Sequence, residues 1–470
     1  MVLEFTLTYG GPESAAAITA GTYDNIRLQS GSSESEGLHP TVPPTHPWRT
    51  SKDALAVNIT SIDSWWHFSS ACWHFAEAIT DAFKGAGKSV PTLGLISTAI
   101  GGSQIEEWIT DAVASQCFGY EHNSNGQSLN HVCWDSNVRP FLDMTITGAL
   151  YYQGENNAGA LHGNSAKKAG YSCMIPRLLD LWRREWSATP GTTSPTFPFG
   201  IVTLSTGDSE GADDIGSFRF AQTASWGALP NPDMQNTWTA QAYDLADPWY
   251  FCEGGKGDPG CDNCEYFDPR YNCSQKNIGP SIHPRLKKPV GQRLAAGALV
   301  TAYNFPGPVT GPTLSGCTYS SSASSLTLTF DASRFSGGQL QVQNYLGLAL
   351  NSGFSALVNS TDNTGAGGTW VALNISLSGP AEVAVDLAPL WGARPQAIKY
   401  AWGATGDRPN GDDVKCCLPV QGSKLCLPAQ CPIFVSQPLA PFAGLPGNPF
   451  LAQITPQGKC LCPTPQICDS

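Results

Sequence analysis

Apolar positions along the chain repeat with a period that changes from segment to segment. Between residues 62 and 84, Trp65, Phe68, Cys72, Phe75, Ile79 and Phe83 recur at three- and four-residue spacing, which predicts a helix with one face on a core. The run VPTLGLIST (90–98) is short and apolar, with a glycine pair soon after it, and predicts a buried strand feeding a loop. The alternation continues with a strand at 146–152, a helix at about 166–187 around Leu178, Leu179, Trp182 and Trp186, and a strand at 198–205. A helix at about 214–226 and a strand at 237–244 follow, and Pro289 suits the first turn of a closing helix that runs to about residue 304. Strands alternating with helices predict a parallel α/β sheet with crossover helices on its faces.

Beyond Pro306 the texture changes. Short β-type segments at 326–330, 340–342, 370–377, 381–387 and 397–402, separated by Ser, Gly and Asn, predict a smaller antiparallel β-rich domain over 306–408. Residues 409–470 are rich in proline and carry seven cysteines, and predict an irregular tail held by disulfides. The α/β unit then covers 1–305, with a cysteine-rich insertion at about 248–278.

Composition narrows the function classes. With 26 basic and 38 acidic residues the 470-residue chain carries a net charge of −12, which opposes sequence-independent binding to nucleic acid or to anionic lipid. No apolar run approaches the ~18 residues of a membrane span. Sixteen cysteines, together with Asn-x-Ser/Thr sequons at Asn58, Asn272, Asn359 and Asn374, predict a disulfide-bonded glycoprotein of the secretory route, secreted or lysosomal. The segment MVLEFTLTYGGPES nevertheless has neither the basic start nor the apolar stretch of a signal peptide.

Several motifs have plain readings. In GAGKS (85–89) the first glycine of a phosphate loop would fall at Ala82, so the segment reads as a helix stop. Cys261 and Cys264, near Cys252 and Cys273, have zinc-like spacing but read as disulfide cysteines, and neither metal nor cofactor is predicted. Gly207-Asp208-Ser209 matches a lipase-type serine block, yet the EGADD that follows Ser209's Asp208-Ser209 pair from Glu210 onward would oppose a developing oxyanion and reads as an acidic turn.

Three loops converge better. Gly101 and Gly102 follow a predicted strand, where backbone N–H groups can meet a ligand. Gln153-Gly154-Glu155-Asn156-Asn157 follows the next strand, and an asparagine amide there can donate to an oxyanion. His283 precedes the closing helix, and an imidazole suits proton transfer near neutral pH.

These segments carry a family resemblance. GLISTAIGGSQIEEW (94–108), GALYYQGENN (148–157), FPFGIVTLS (197–205), RFAQTASWGALPNPDMQNT (219–237), SIHPRLKKPVGQRLA (281–295) and IKYAWG (398–403) together resemble the sialate O-acetylesterases of the SGNH hydrolase superfamily. The resemblance implies a flavodoxin-like parallel sheet and hydrolysis of acetyl esters on sugar hydroxyls, sialic acids first among them. It assigns the glycine N–H to Gly101 or Gly102, the amide donor to Asn157 and the base to His283, with Gln153, Glu155 and Arg219 as substrate contacts. An aspartate two or three residues ahead of the histidine is the superfamily's usual acid; Pro280 and Ser281 stand there, so Asp247 or Asp244 are the candidates to orient His283. The nucleophile in such proteins lies in a GQSNM segment whose last residue Met1 matches. The serine, its strand and an N-terminal β domain are therefore expected ahead of residue 1, and the chain alone is expected to be inactive. The alternatives are a glycan-binding protein without catalysis, or an acetyl esterase of another polysaccharide such as xylan. The oligomeric state is not predicted.

Overall fold

The computed structural model describes residues 10–30, 46–61, 63–117, 131–158, 165–205, 215–245, 282–284, 287–343, 353–360, 368–402, 432–436 and 444–461. Two kinds of sheet divide the chain. In the first part, β1 (Ile26–Ser30) pairs in parallel with β3 (Leu93–Ser97) and antiparallel with the short β2 (Arg49–Thr50). A second parallel sheet has the order β4 (Ala149–Tyr151), β5 (Phe199–Val202), β6 (Thr237–Ala240). All residues of β5 and β6 are buried, which explains their continuous apolar reading. Among the described residues β3 and β4 each pair on one side only, β3 with β1 and β4 with β5.

Eight helices surround these sheets among the described residues: α1 (Gly11–Thr19), α2 (Ser51–Ala56), α3 (Ser70–Gly85), α4 (Asp111–Ala114), α5 (Glu155–Ala158), α6 (Ser165–Trp186), α7 (Ile215–Ala221) and α8 (Lys287–Thr301). Helix α3 begins later than its apolar spacing predicts, because the Ser69 hydroxyl accepts from the Cys72 N–H and caps it there. Trp65–His67 form a separate 3₁₀ turn instead. Helices α3 and α8 pack on each other, α3 also against β3 and α8 against β5 and β6, so one helical layer spans both parallel sheets. Trp238 of β6 and Leu28, Leu93 and Leu95 of the other sheet share a core with Ala295 and Leu299 of α8. This α/β arrangement agrees with the predicted fold class.

The second part is antiparallel. One sheet has the order β12 (Ile375–Gly379), β13 (Glu382–Val385), β8 (Ser325–Phe330), β7 (Leu314–Ser320). Another has β11 (Thr369–Ala372), β10 (Phe354–Val358), β14 (Ala397–Tyr400), β17 (Phe450–Ile454), β18 (Cys460–Leu461), and a third β16 (Gly444–Pro446), β15 (Ile433–Ser436), β9 (Leu340–Val342). The expected irregular tail is thereby corrected: β15 to β18 fall within 409–470, yet β15 pairs with β9 and β17 with β14. The apolar alternation of IFVS and FLAQI wins over the surrounding proline and cysteine. Disulfide Cys317–Cys460 fastens β18 to β7, and Cys117–Cys173 ties the α4 end to α6. Cys72 and Cys133 are free thiols. The cysteines of the insertion at about 248–278 lie outside the described residues, as do those of the tail other than Cys460.

The two parts join through a polar and aromatic seam. Tyr243 O–H donates to the Gly447 carbonyl at 2.7 Å and lies 3.1 Å from Tyr400 O–H, while the Gln241 amide donates to Asn448 at 2.7 Å. Of the sequons, Asn58 and Asn359 are exposed, Asn374 is half-buried and Asn272 lies outside the described residues. Asn58 Oδ1 accepts from both the Thr60 N–H and the Thr60 hydroxyl. Among the described residues no helix is long and apolar enough to cross a membrane.

Candidate active site

The site forms where the loops after β3 and β4 meet the segment ahead of α8, at the C-terminal ends of the parallel strands. Open α/β sheets bind ligands at this edge. Gly102 lies in the left-handed region at φ 72°, and the space over its Cα is open, with no atom within 4 Å of where a Cβ would stand. A side chain there would be strained and would occupy the approach to the Gly101–Gly102 backbone. Ser103, next in the chain, is fully engaged: its hydroxyl donates to the Ile100 carbonyl at 2.8 Å and accepts from Trp108 Nε1 at 3.0 Å.

The loop after β4 is locked to this one by amides. Asn156 Nδ2 donates to the Gly102 carbonyl at 2.5 Å. Asn157 Oδ1 accepts from the Ile105 N–H at 2.9 Å and from Gln153 Nε2 at 2.8 Å, and its Nδ2 donates to Glu106 at 3.0 Å. This fixes the amide's orientation; its nitrogen carries a second hydrogen beyond the one that Glu106 takes. Gly154 is held at φ 135° against Phe218, whose ring would stand 2.6 Å from a Cβ, so only glycine brings the loop this close to α7.

Gln153 departs from its expected place among substrate contacts. It is buried, donating to the Ser103 carbonyl at 2.9 Å and to Asn157, and accepting from the Tyr171 hydroxyl at 3.0 Å, so it is a brace between the two loops. Arg219 departs further. Its guanidinium is 2% exposed and donates to the carbonyls of Leu204, Ser205 and Ala401, which welds the end of β5 to the β-rich part and keeps it from a substrate carboxylate. Gln222, which has no sequence signal, links the same loops: its amide donates to the Gln153 and Val202 carbonyls and accepts from the Leu204 N–H.

Among the described residues, His283 meets Glu155. Its Nδ1 lies 3.6 Å from Glu155 Oε1, with the side chains 13% and 19% exposed. Burial pushes the Glu155 carboxyl upward, but the contact and charge of His283, with Lys287 behind them, outweigh it and hold the group below the usual carboxylate range. Asp244 is unavailable to His283. Both its oxygens accept from Arg293 at 2.6 Å, with each side chain 2% exposed. Asp247 and Ser209 lie outside the described residues. Among the described residues no three His, Cys, Asp or Glu side chains cluster to hold a metal ion.

Residues 19–247 match the sequence profile of the carbohydrate esterases described as sialic acid-specific acetylesterases. The sialate O-acetylesterase of Homo sapiens is 32% identical over 257 residues, a match covering 52% of this chain and 42% of that protein. The α/β part of the chain is therefore similar to the sialate O-acetylesterases. The enzyme of that name from Rattus norvegicus is 29% identical over 284 residues, covering 52% of this chain and 45% of its own length, so the matched stretch spans less than half of these curated relatives. A carbohydrate acetylesterase from Xanthomonas citri shares the fold at a TM-score of 0.60 and 19% identity, with 96% of this chain and 78% of that one superposed. The family match includes the loops bearing Gly102, Glu155 and Asn157 and ends before His283.

Proposed function

We propose that the chain belongs to a serine esterase that removes O-acetyl groups from sugar hydroxyls, with O-acetylated sialic acids as its substrate. The observation that carries this reading is the meeting of His283 and Glu155 beside the Gly102 and Asn157 loops. In this mechanism a serine hydroxyl attacks the acetyl carbonyl, and His283 takes its proton and returns it to the departing sugar oxygen. The Glu155 carboxylate holds the Nδ1 side of the ring, leaving Nε2 to face the nucleophile. The Gly102 N–H and the second Asn157 N–H receive the oxyanion. Ser103 is not the nucleophile, since its hydroxyl is spent on Ile100 and Trp108. The disulfides and the exposed Asn58 sequon favour a luminal or secreted protein.

Fluorophosphonate labelling of the protein made from its full reading frame, with peptide mapping and acetate release from O-acetylated sialic acid and from acetylated xylan, tests this. A single labelled serine, with release from the sialic acid, is expected. Label on Ser103 would overturn its structural role, and release from xylan alone would change the substrate. Glycan binding without label or release would leave the non-catalytic alternative.

A further inference from the structure

Behind the Glu155–His283 pair stands a cation. Lys287, at the start of α8, is 5% exposed, and its ammonium donates to the Tyr152 hydroxyl at 3.3 Å while lying 4.5 Å from the centroid of the same ring. Tyr152 closes β4's exit and stands three residues before Glu155, so the lysine reaches across from α8 to the loop that carries the acid. A buried ammonium is expensive unless a partner offsets its lost hydration. Burial pushes Lys287 down to about 8, and the Glu155 charge opposes that fall. The same lysine contributes to holding Glu155 ionised.

An acid beside a histidine has two possible effects. If it is an uncompensated carboxylate, it stabilises the imidazolium and shrinks the neutral fraction that acts as base near neutral pH. If its charge is balanced from the other side, it orients the ring without over-stabilising the protonated form. We propose that Lys287 is a positioning residue that supplies this balance, holding Glu155 as a counter-charged anion so that His283 remains an available base near neutral pH. This rests on the esterase reading for its chemistry, and for its geometry on the Lys287–Tyr152 bond and the Glu155–His283 contact, which share the start of α8 and the loop after β4.

Further charges lie on the same helix and on α3, which packs against it. Lys288 and Arg293 share the helix of Lys287, Arg293 being bound to Asp244. His74 and Glu77 lie on α3, bonded to each other. Tyr151 and Tyr171 lie toward Glu155, and burial pushes both phenols well above their usual range, so they stay neutral through the pH interval concerned.

The test follows the imidazole by NMR titration of the full-length protein, with His283→Ala to assign its signal. In Lys287→Met the His283 midpoint is expected to rise by about one pH unit, because a positive charge has left its surroundings. In Lys287→Arg it is expected to stay near that of the parent. An unchanged or lowered midpoint in Lys287→Met, in a variant whose thermal transition shows it folded, overturns the proposal. Should Lys287→Met fail to fold, Lys287→Arg decides alone: a guanidinium stays charged at all relevant pH, so a midpoint raised as far as in Glu155→Gln is lowered would overturn it. Glu155→Gln separates the two readings. It should lower the His283 midpoint, and no change there would count against the Glu155–His283 pair itself. In the turnover assay Lys287→Met should move the acid limb of kcat/KM upward by the same amount, a displacement that loss of packing alone would not cause.

Discussion

Two acid–base pairs flank α8, and they are built to opposite specifications. Asp244 and Arg293 meet through two bonds of 2.6 Å, with each side chain 2% exposed. Glu155 and His283 meet at 3.6 Å with 13% and 19% exposure. A bidentate pair sealed from water has both charges committed to the fold, and it cannot exchange a proton without opening the structure. A looser pair at the sheet's ligand-binding edge keeps solvent contact and can change its protonation. Sequence proximity misleads here: Asp244 is an aspartate at a strand end, the place where a catalytic acid is sought, yet its geometry makes it a rivet between β6's exit and α8.

Breaking each pair in turn separates the roles. Asp244→Ala leaves the Arg293 guanidinium buried without its anion and is expected to cost about 3–5 kcal/mol in urea unfolding. His283→Ala should change the unfolding midpoint little and lower acetate release from the full-length protein by about 10²–10⁴-fold. If His283→Ala proved the more destabilising of the two, the contrast between rivet and working pair would fail. The next effect down concerns the amide on the other side of the site. Asn157→Ala removes a proposed oxyanion donor and should reduce kcat by about 10²–10³-fold, with KM nearly constant. A change confined to KM would make Asn157 a substrate contact. Below that stands the β-rich part: removing Cys317–Cys460 by a double serine change frees β18 from β7, and should cost about 2–4 kcal/mol without altering the His283 titration.

The parallel sheet was legible because burial on both faces writes an unbroken apolar run, as in FGIV of β5 and TWTA of β6. Strand β1 reads IRLQS, mixing charge and amide with apolar residues, and α1 reads GPESAAAIT, with a single large apolar side chain; neither pattern announces an element. The four strands within 409–461 were hidden by proline and cysteine, which dominate composition but not pairing. At the site, Gly102, Asn157 and His283 stand out in the sequence because each follows or precedes an element in a recognisable loop. Glu155 was read as a substrate contact because its partner lies far away in the chain, and only the fold brings the two together. Arg219 and Gln222 serve backbone carbonyls, a role that leaves no trace in residue type or spacing.

A third pair sharpens the comparison with the smallest effect. His74 Nδ1 lies 2.5 Å from Glu77 Oε2 within α3, at 0% and 6% exposure, and the Ser14 hydroxyl of α1 donates to the other carboxylate oxygen. Like Asp244 it is sealed, yet like Glu155 its partner is a histidine. Burial pushes the Glu77 carboxyl up, but the His74 bond and charge, Lys288 and Ser14 outweigh it, so the folded state holds this acid below the usual range. A carboxyl depressed on folding contributes stability that is present above its unfolded value of about 4.3 and is lost as pH falls through the lower folded one. Asp81 works in the opposite direction, raised by burial and by the Glu77 charge, and Glu77→Gln relieves part of that cost. The net expectation for Glu77→Gln is a loss of about 1–3 kcal/mol at pH 6 that narrows below pH 4. Urea unfolding of parent and variant across pH 3–7 measures that gap. A gap independent of pH would mean that Glu77 acts through shape and hydrogen bonding alone, and that sealed pairs in this fold hold no charge worth titrating.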